Sequence, residues 1–155
     1  MGLFDQFIHK PDGEVFIYTL GEQEAWVGIL LACISADGEI DGLETDAMAR
    51  MLGLKTKFAG VDIKPFLKNI MEAKAKLGGL GLVEACSKSV NVADRDTLFA
   101  MAVELVLTDG SLEKEEEKVI DTLAKALELD PETAVKIIEV MLIRTRGNRV
   151  YDSLI

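Results

Sequence analysis

Histidine occurs once in the chain, at His9, cysteine twice and proline three times, and aromatic residues make up only 6% of it. That one histidine falls in the N-terminal arm, outside any recognisable catalytic setting. No serine or cysteine sits in a recognisable nucleophile setting. Gly78-Gly79-Leu80-Gly81 lacks the strand before it and the Lys-Ser/Thr after it that a phosphate loop requires. Cys33 and Cys86 stand far apart, in apolar surroundings and without metal-ligand spacing, which reads as two small buried thiols in a reducing compartment. Basic charge is short as well: 17 Lys and Arg face 27 Asp and Glu, a formal net charge of −10 that repels phosphate backbones and argues against nucleic acid as a partner. No basic segment leads into a long apolar one, so no secretory signal is expected. The longest apolar run, Ala25 to Ile34, is about half what a membrane-spanning helix needs and reads as a core helix. Together these features predict a cytoplasmic protein.

What the chain does have is 49% hydrophobic residues, carried by Leu, Ala, Val, Ile and Met, the composition of helices packing on helices. Period-2 alternation is missing throughout. The expected fold is all-α: a single compact bundle of about seven helices with an internal helix–acidic turn–helix repeat. Residues 1–18 form an N-terminal arm, 19–146 the helical domain and 147–155 a tail carrying Arg149 and Tyr151. In the arm, Leu3, Phe4, Phe7 and Ile8 make an apolar face expected to dock on the core, with any membrane contact at most peripheral.

Thr19-Leu20-Gly21-Glu22 has the form of a capping box opening a helix of roughly 20–36. This helix is apolar nearly all round from Trp26 to Ile34 and is therefore placed at the bundle centre. A second helix follows over about 41–52. Asp62 is the expected N-cap of a third, about 63–77, with Phe66, Ile70 and Leu77 inward. Gly78-Gly79 separates it from a short helix of about 80–89. Asn91 is expected to cap a helix of about 92–108, apolar at Leu98, Met101, Leu105 and Val106. Helices over about 113–128 and 131–145 complete the bundle, the last begun by Asp130-Pro131 and held by Val135, Ile138, Met141 and Leu142.

One phrase occurs twice. Ser35-Ala-Asp-Gly-Glu-Ile-Asp-Gly-Leu-Glu44 and Leu107-Thr-Asp-Gly-Ser-Leu-Glu-Lys-Glu-Glu116 align at one constant spacing, matching Asp37 to Asp109, Gly38 to Gly110, Ile40 to Leu112 and Glu44 to Glu116. If Gly38 is set at the invariant glycine of a calcium loop, Asp37, Asp41 and Glu44 fall on ligand positions, but Cys33 and Ser35 take the first two. In the second copy those two positions hold Leu105 and Leu107, so neither copy is an ordinary EF-hand. Two half-sites packed together are a different matter. Carboxylates about 4 Å apart repel by roughly 4 kcal/mol at an effective dielectric near 20, so a convergent set favours a bound cation or a protonated member. Asp37, Glu44, Asp109 and Glu116 are the candidate metal ligands, with Glu104 as an extra one. All-oxygen ligation suits Ca²⁺, Mg²⁺ or Mn²⁺ better than Zn²⁺. The alternative is that Asp-Gly is simply turn chemistry and the glutamates simply complement helix dipoles.

In these residues the chain resembles the tellurite-resistance TerB-like family, whose pattern is given twice: a small residue before Asp-Gly, an apolar residue two later, and an acidic residue opening a helix. The start Met1-Gly2-Leu3-Phe4-Asp5 is similar to the family's as well. The resemblance implies a compact all-helical bacterial domain of the chemical-stress type, with an acidic divalent-cation site at Asp37, Glu44, Asp109 and Glu116 and Glu117 beside it. Gly42 departs from the charged residues common before the first Glu. The function expected is a non-catalytic metal-binding module that couples occupancy to a protein partner, its oligomeric state left open. The alternative is a metal-independent interaction scaffold, with carboxylate–metal hydrolysis a distant third.

Overall fold

The computed structural model describes residues 20–36, 38, 42–108, 110 and 112–148. The expected N-terminal arm, Thr19 of the capping box, His9 and the end of the tail lie outside these residues. Every regular element among them is helical: α1 (Leu20–Ile34), α2 (Gly42–Gly53), α3 (Lys64–Ser87), α4 (Arg95–Val106), α5 (Lys114–Ala126) and α6 (Pro131–Arg144). Short 3₁₀ turns at Thr56–Phe58 and Val92–Asp94 precede α3 and α4. Among the described residues there are six helical elements, of which α3 takes in both segments expected as 63–77 and 80–89, with the expected break between them as a kink at Gly78. At the kink Gly78 takes φ 75° and ψ 169°, a backbone state reserved for glycine.

The core is built around α1. Every side chain from Ala25 to Ile34 is buried, and the helix packs against α2, α3, α4 and α5. At roughly 1.5–3 kcal/mol for each fully buried large aliphatic side chain, Ile29, Leu30 and Ile34 make this helix the main apolar contributor. Gly28 lets α3 come close: a Cβ there would lie 2.8 Å from Cys86 Sγ and 3.7 Å from Ile70 Cγ1. The second buried helix is α4, through Leu98, Phe99, Ala102, Leu105 and Val106. Around these two, α2 contributes Met48 and Leu52, α3 Phe66, Ile70, Leu82 and Val83, and α5 Val119, Ile120 and Leu123.

Three expectations about packing are corrected. Leu77 is 53% exposed, because it falls at the end of the first half of α3, immediately before the kink. On α6, Val135 and Leu142 are exposed, while Ala134 is buried and Ile137, Ile138 and Met141 are half-buried. This helix packs chiefly on α4, so only a narrow stripe of it is covered. Cys86 is half-buried rather than buried.

Helix starts follow the side chains. Asp62 Oδ1 accepts from the Lys64 amide at 3.0 Å, one residue before the N-cap position of α3. Asp130 Oδ2 accepts from both the amide and the hydroxyl of Thr133 at 3.3 Å, with Pro131 in the first helical position. Asn91 does not cap with its side chain. Residues 92–94 form a 3₁₀ turn, α4 begins at Arg95, and the Asn91 amide is directed at Glu22 Oε1, 3.5 Å away.

Glu22 belongs to a buried polar knot. Its carboxylate pairs with Lys57 Nζ, and both side chains are only 4% exposed. The same ammonium lies 2.7 Å from Asp94 Oδ2 and 4.4 Å from the centroid of the Trp26 ring, while Gln23 Nε2 donates to the Lys57 carbonyl at 2.7 Å. The knot ties the start of α1 to both 3₁₀ turns. Removing one member strands the other charge, which costs about 3–5 kcal/mol for a buried pair. Lys57→Met is therefore expected to lower the unfolding free energy by that order, read as a lower urea midpoint followed through the single Trp26, with Glu22→Leu in the same chain recovering part of it. An unmoved midpoint for Lys57→Met would show the knot to be dispensable.

Candidate functional site

The two acidic turns follow the two buried helices. After α1, Ser35 Oγ donates back to the Leu31 carbonyl at 2.7 Å, and the Gly38 amide donates to the Ser35 carbonyl at 2.9 Å. After α4, Thr108 Oγ1 donates to the Glu104 carbonyl at 2.9 Å, and the Gly110 amide donates to the Leu107 carbonyl at 3.0 Å. Gly38 and Gly110 have φ of 90° and 80°, so each turn passes through the left-handed region at the same place in the phrase.

Helices α2 and α5 leave these turns with a glutamate in the first turn. Glu44 is 7% exposed and Glu116 is 5% exposed, unlike Glu113, Glu115 and Glu117, which face solvent. The burial of Glu116 has a local cause. Its Oε1 accepts from the Glu113 amide at 2.9 Å in a capping box, folding the side chain back over the helix start. Both carboxylates bear on one thiol. Burial first, then the charges of Glu116 and Glu44, push Cys33 from the ordinary 9.0 up to about 12. The end of α1 is thus the place where the two helix starts meet electrostatically.

Asp37, Asp41 and Asp109 lie outside the described residues. Among the described residues no group of three His, Cys, Asp or Glu side chains could hold a metal. Glu104, expected as an extra ligand, is turned elsewhere: its Oε1 accepts from Arg144 Nε at 2.7 Å, which joins α4 to α6.

Sequence reasoning passed over Lys74. This half-buried side chain on α3 donates from Nζ to Ser35 Oγ at 2.7 Å, setting a positive charge beside the first acidic turn. Its only sequence signal was membership of a lysine-rich helix face, which looks like solvation. A shallow cavity of ≈ 330 Å³ opens here between Ser35, Gly38, Lys74, Leu80 and Lys118.

The family model for tellurite resistance protein TerB matches residues 23–138. The chain belongs to the TerB family. No curated protein and no solved structure matches it at a significant level. The TerB match begins just inside α1 and ends within α6, so it takes in both acidic turns and both buried glutamates. No described helix of this TerB chain is long and apolar enough to cross a membrane.

The Cys33 thiol gives a pH signature. The native state holds this proton to higher pH than the unfolded chain does, so the stability is fully present below pH 9.0 and is lost as pH rises towards about 12. The slope approaches about 1.4 kcal/mol per pH unit for one such group. Urea midpoints at about pH 8 and about pH 10.5 are expected to fall more steeply for the native chain than for Cys33→Ala, in which other alkaline titrations are retained. Equal slopes would mean that the thiol is not held in this environment.

Proposed function

We propose that this TerB-family chain is a non-catalytic, divalent-cation-binding helical module of the tellurite-resistance and chemical-stress type, acting in the cytoplasm and coupling metal occupancy to a protein partner. Asp37, Glu44, Asp109 and Glu116 are the proposed ligands. The observation that carries this reading is the pair of buried first-turn carboxylates, Glu44 and Glu116, which come from different helices and act on the same thiol. Two buried carboxylates that act on one thiol give a negative potential there that favours a bound cation. Oxygen ligands favour Ca²⁺, Mg²⁺ or Mn²⁺. Zn²⁺ is the poorer fit, because the proposed ligand set is all oxygen.

A second reading, the metal-independent scaffold, rests on the capping box: Glu116 Oε1 already accepts from the Glu113 amide, a role that needs no ion. Calorimetric titration of the metal-stripped chain separates the two. Saturable heat with Ca²⁺, Mg²⁺ or Mn²⁺, weakened about tenfold or more in Glu44→Gln/Glu116→Gln, is the expected result. If no ion gives saturable heat while the variant keeps its fold, the scaffold reading stands instead.

A further inference from the structure

Helices α5 and α6 both lie on α4, and a groove of ≈ 280 Å³ runs where the three meet. Its floor is apolar, made by Val103, Val106 and Leu107 of α4. The α6 wall is apolar too: Ile138 and Leu142 line it, and Val135, one turn earlier on the same flank, is 62% exposed. The α5 wall differs. Ile120 lies in it with Glu117 and Asp121, which are an acidic pair at four-residue spacing, and the same spacing leads on to Lys125 at the far end of the helix. Of the α5 lysines, Lys118 lines the cavity on the other side of the helix, beside Ser35 and Lys74. The end of the groove is closed by the half-exposed Leu112, which belongs to the second acidic turn.

We infer that this groove docks a partner-borne amphipathic helix with aliphatic side chains on one face and lysine or arginine along the adjoining edge. The apolar floor and α6 wall take the aliphatic face, in the manner of helix-in-groove recognition. The acidic pair takes the basic edge, and the net charge of −10 steers it in while repelling anionic helices and anionic lipid surfaces. A second copy of this chain is the weaker occupant. Its basic helix, α3, exposes only Met71 and Leu77 among large apolar side chains, and a groove-to-α3 contact is head-to-tail, giving a ring or a filament and not a two-fold dimer. The groove stands on its own geometry and touches the metal reading only at Leu112, which follows Asp109-Gly110 in the second acidic turn and lines the groove.

The test is a nitrogen-15 NMR titration of the full, metal-free chain with a synthetic helix of about four turns, leucines at helical spacing and lysines along one edge. Its counterpart has glutamates in place of the lysines. The lysine peptide is expected to saturate and to move the amides of α4 around Val103–Leu107, of Leu112 and of the two walls. Glu117→Lys/Asp121→Lys and, separately, Leu142→Glu are each expected to weaken it roughly tenfold, with unchanged circular dichroism. Four results would overturn the proposal: equal binding of both peptides, shifts spread over the surface or centred elsewhere, affinity indifferent to both variants, or concentration-dependent assembly abolished by Lys68→Glu, which points to a second copy. Because metal is left out, a failed cation titration does not touch this result, and a failed peptide titration does not touch the cation reading.

Discussion

A helix that is apolar on all sides from Ala25 to Ile34 has to be covered all the way round, and that demand sets the architecture. Four helices meet it: α2, α3, α4 and α5 all pack on α1. The cover needs one unusually close approach, which Gly28 permits beside Cys86, and one change of direction within α3, which Gly78 permits. The polar start of α1 is anchored by Lys57 and Asp94, and its end faces the two acidic helix starts. Positions of the outer helices, and of the carboxylates they carry, follow from the need to bury this one segment.

The all-helical class and the central helices were legible because they rest on composition and period: Leu30, Ile34, Leu98 and Leu105 sit in runs too apolar to face water. Asp130-Pro131 and the Asp62 start were legible because capping is local chemistry. What was hidden depended on contacts between distant residues. Lys57 reads as a surface lysine until Glu22 and Asp94 are brought to it from 35 and 37 residues away. Val135 and Leu142 fit an apolar stripe on α6, but only one neighbouring helix is there to receive it. Glu104 lies near the second acidic turn in sequence, yet Arg144 draws it to α6. At the candidate site, the importance of Glu116 within its acidic run could be read from the repeat, whereas its burial depends on the fold around Cys33.

The electrostatics at the end of α1 combine opposing parts. Glu44 and Glu116 are withdrawn from solvent and add to burial in keeping the Cys33 thiol protonated, while Lys74 donates to Ser35 in the adjoining turn. A pair of buried carboxylates with a lysine beside the adjoining turn differs from a bare acidic patch, so under the proposed cation reading an ion would meet a charge already partly balanced. Selectivity at such a place would depend on how an ion competes with that ammonium as well as on the number of oxygens offered.

The uneven packing of α6 bears on how the molecule loosens. Amides of α1 lie inside the cover of four helices, so their exchange with solvent waits on opening of the whole domain. α6, resting chiefly on α4 and tied at its end by Arg144 to Glu104 and by Asn148 to Thr108, forms the natural unit of partial opening. The space between α5 and α6 therefore has one side set by the buried core and one side set chiefly by how α6 rests on α4 and by two polar contacts at its end.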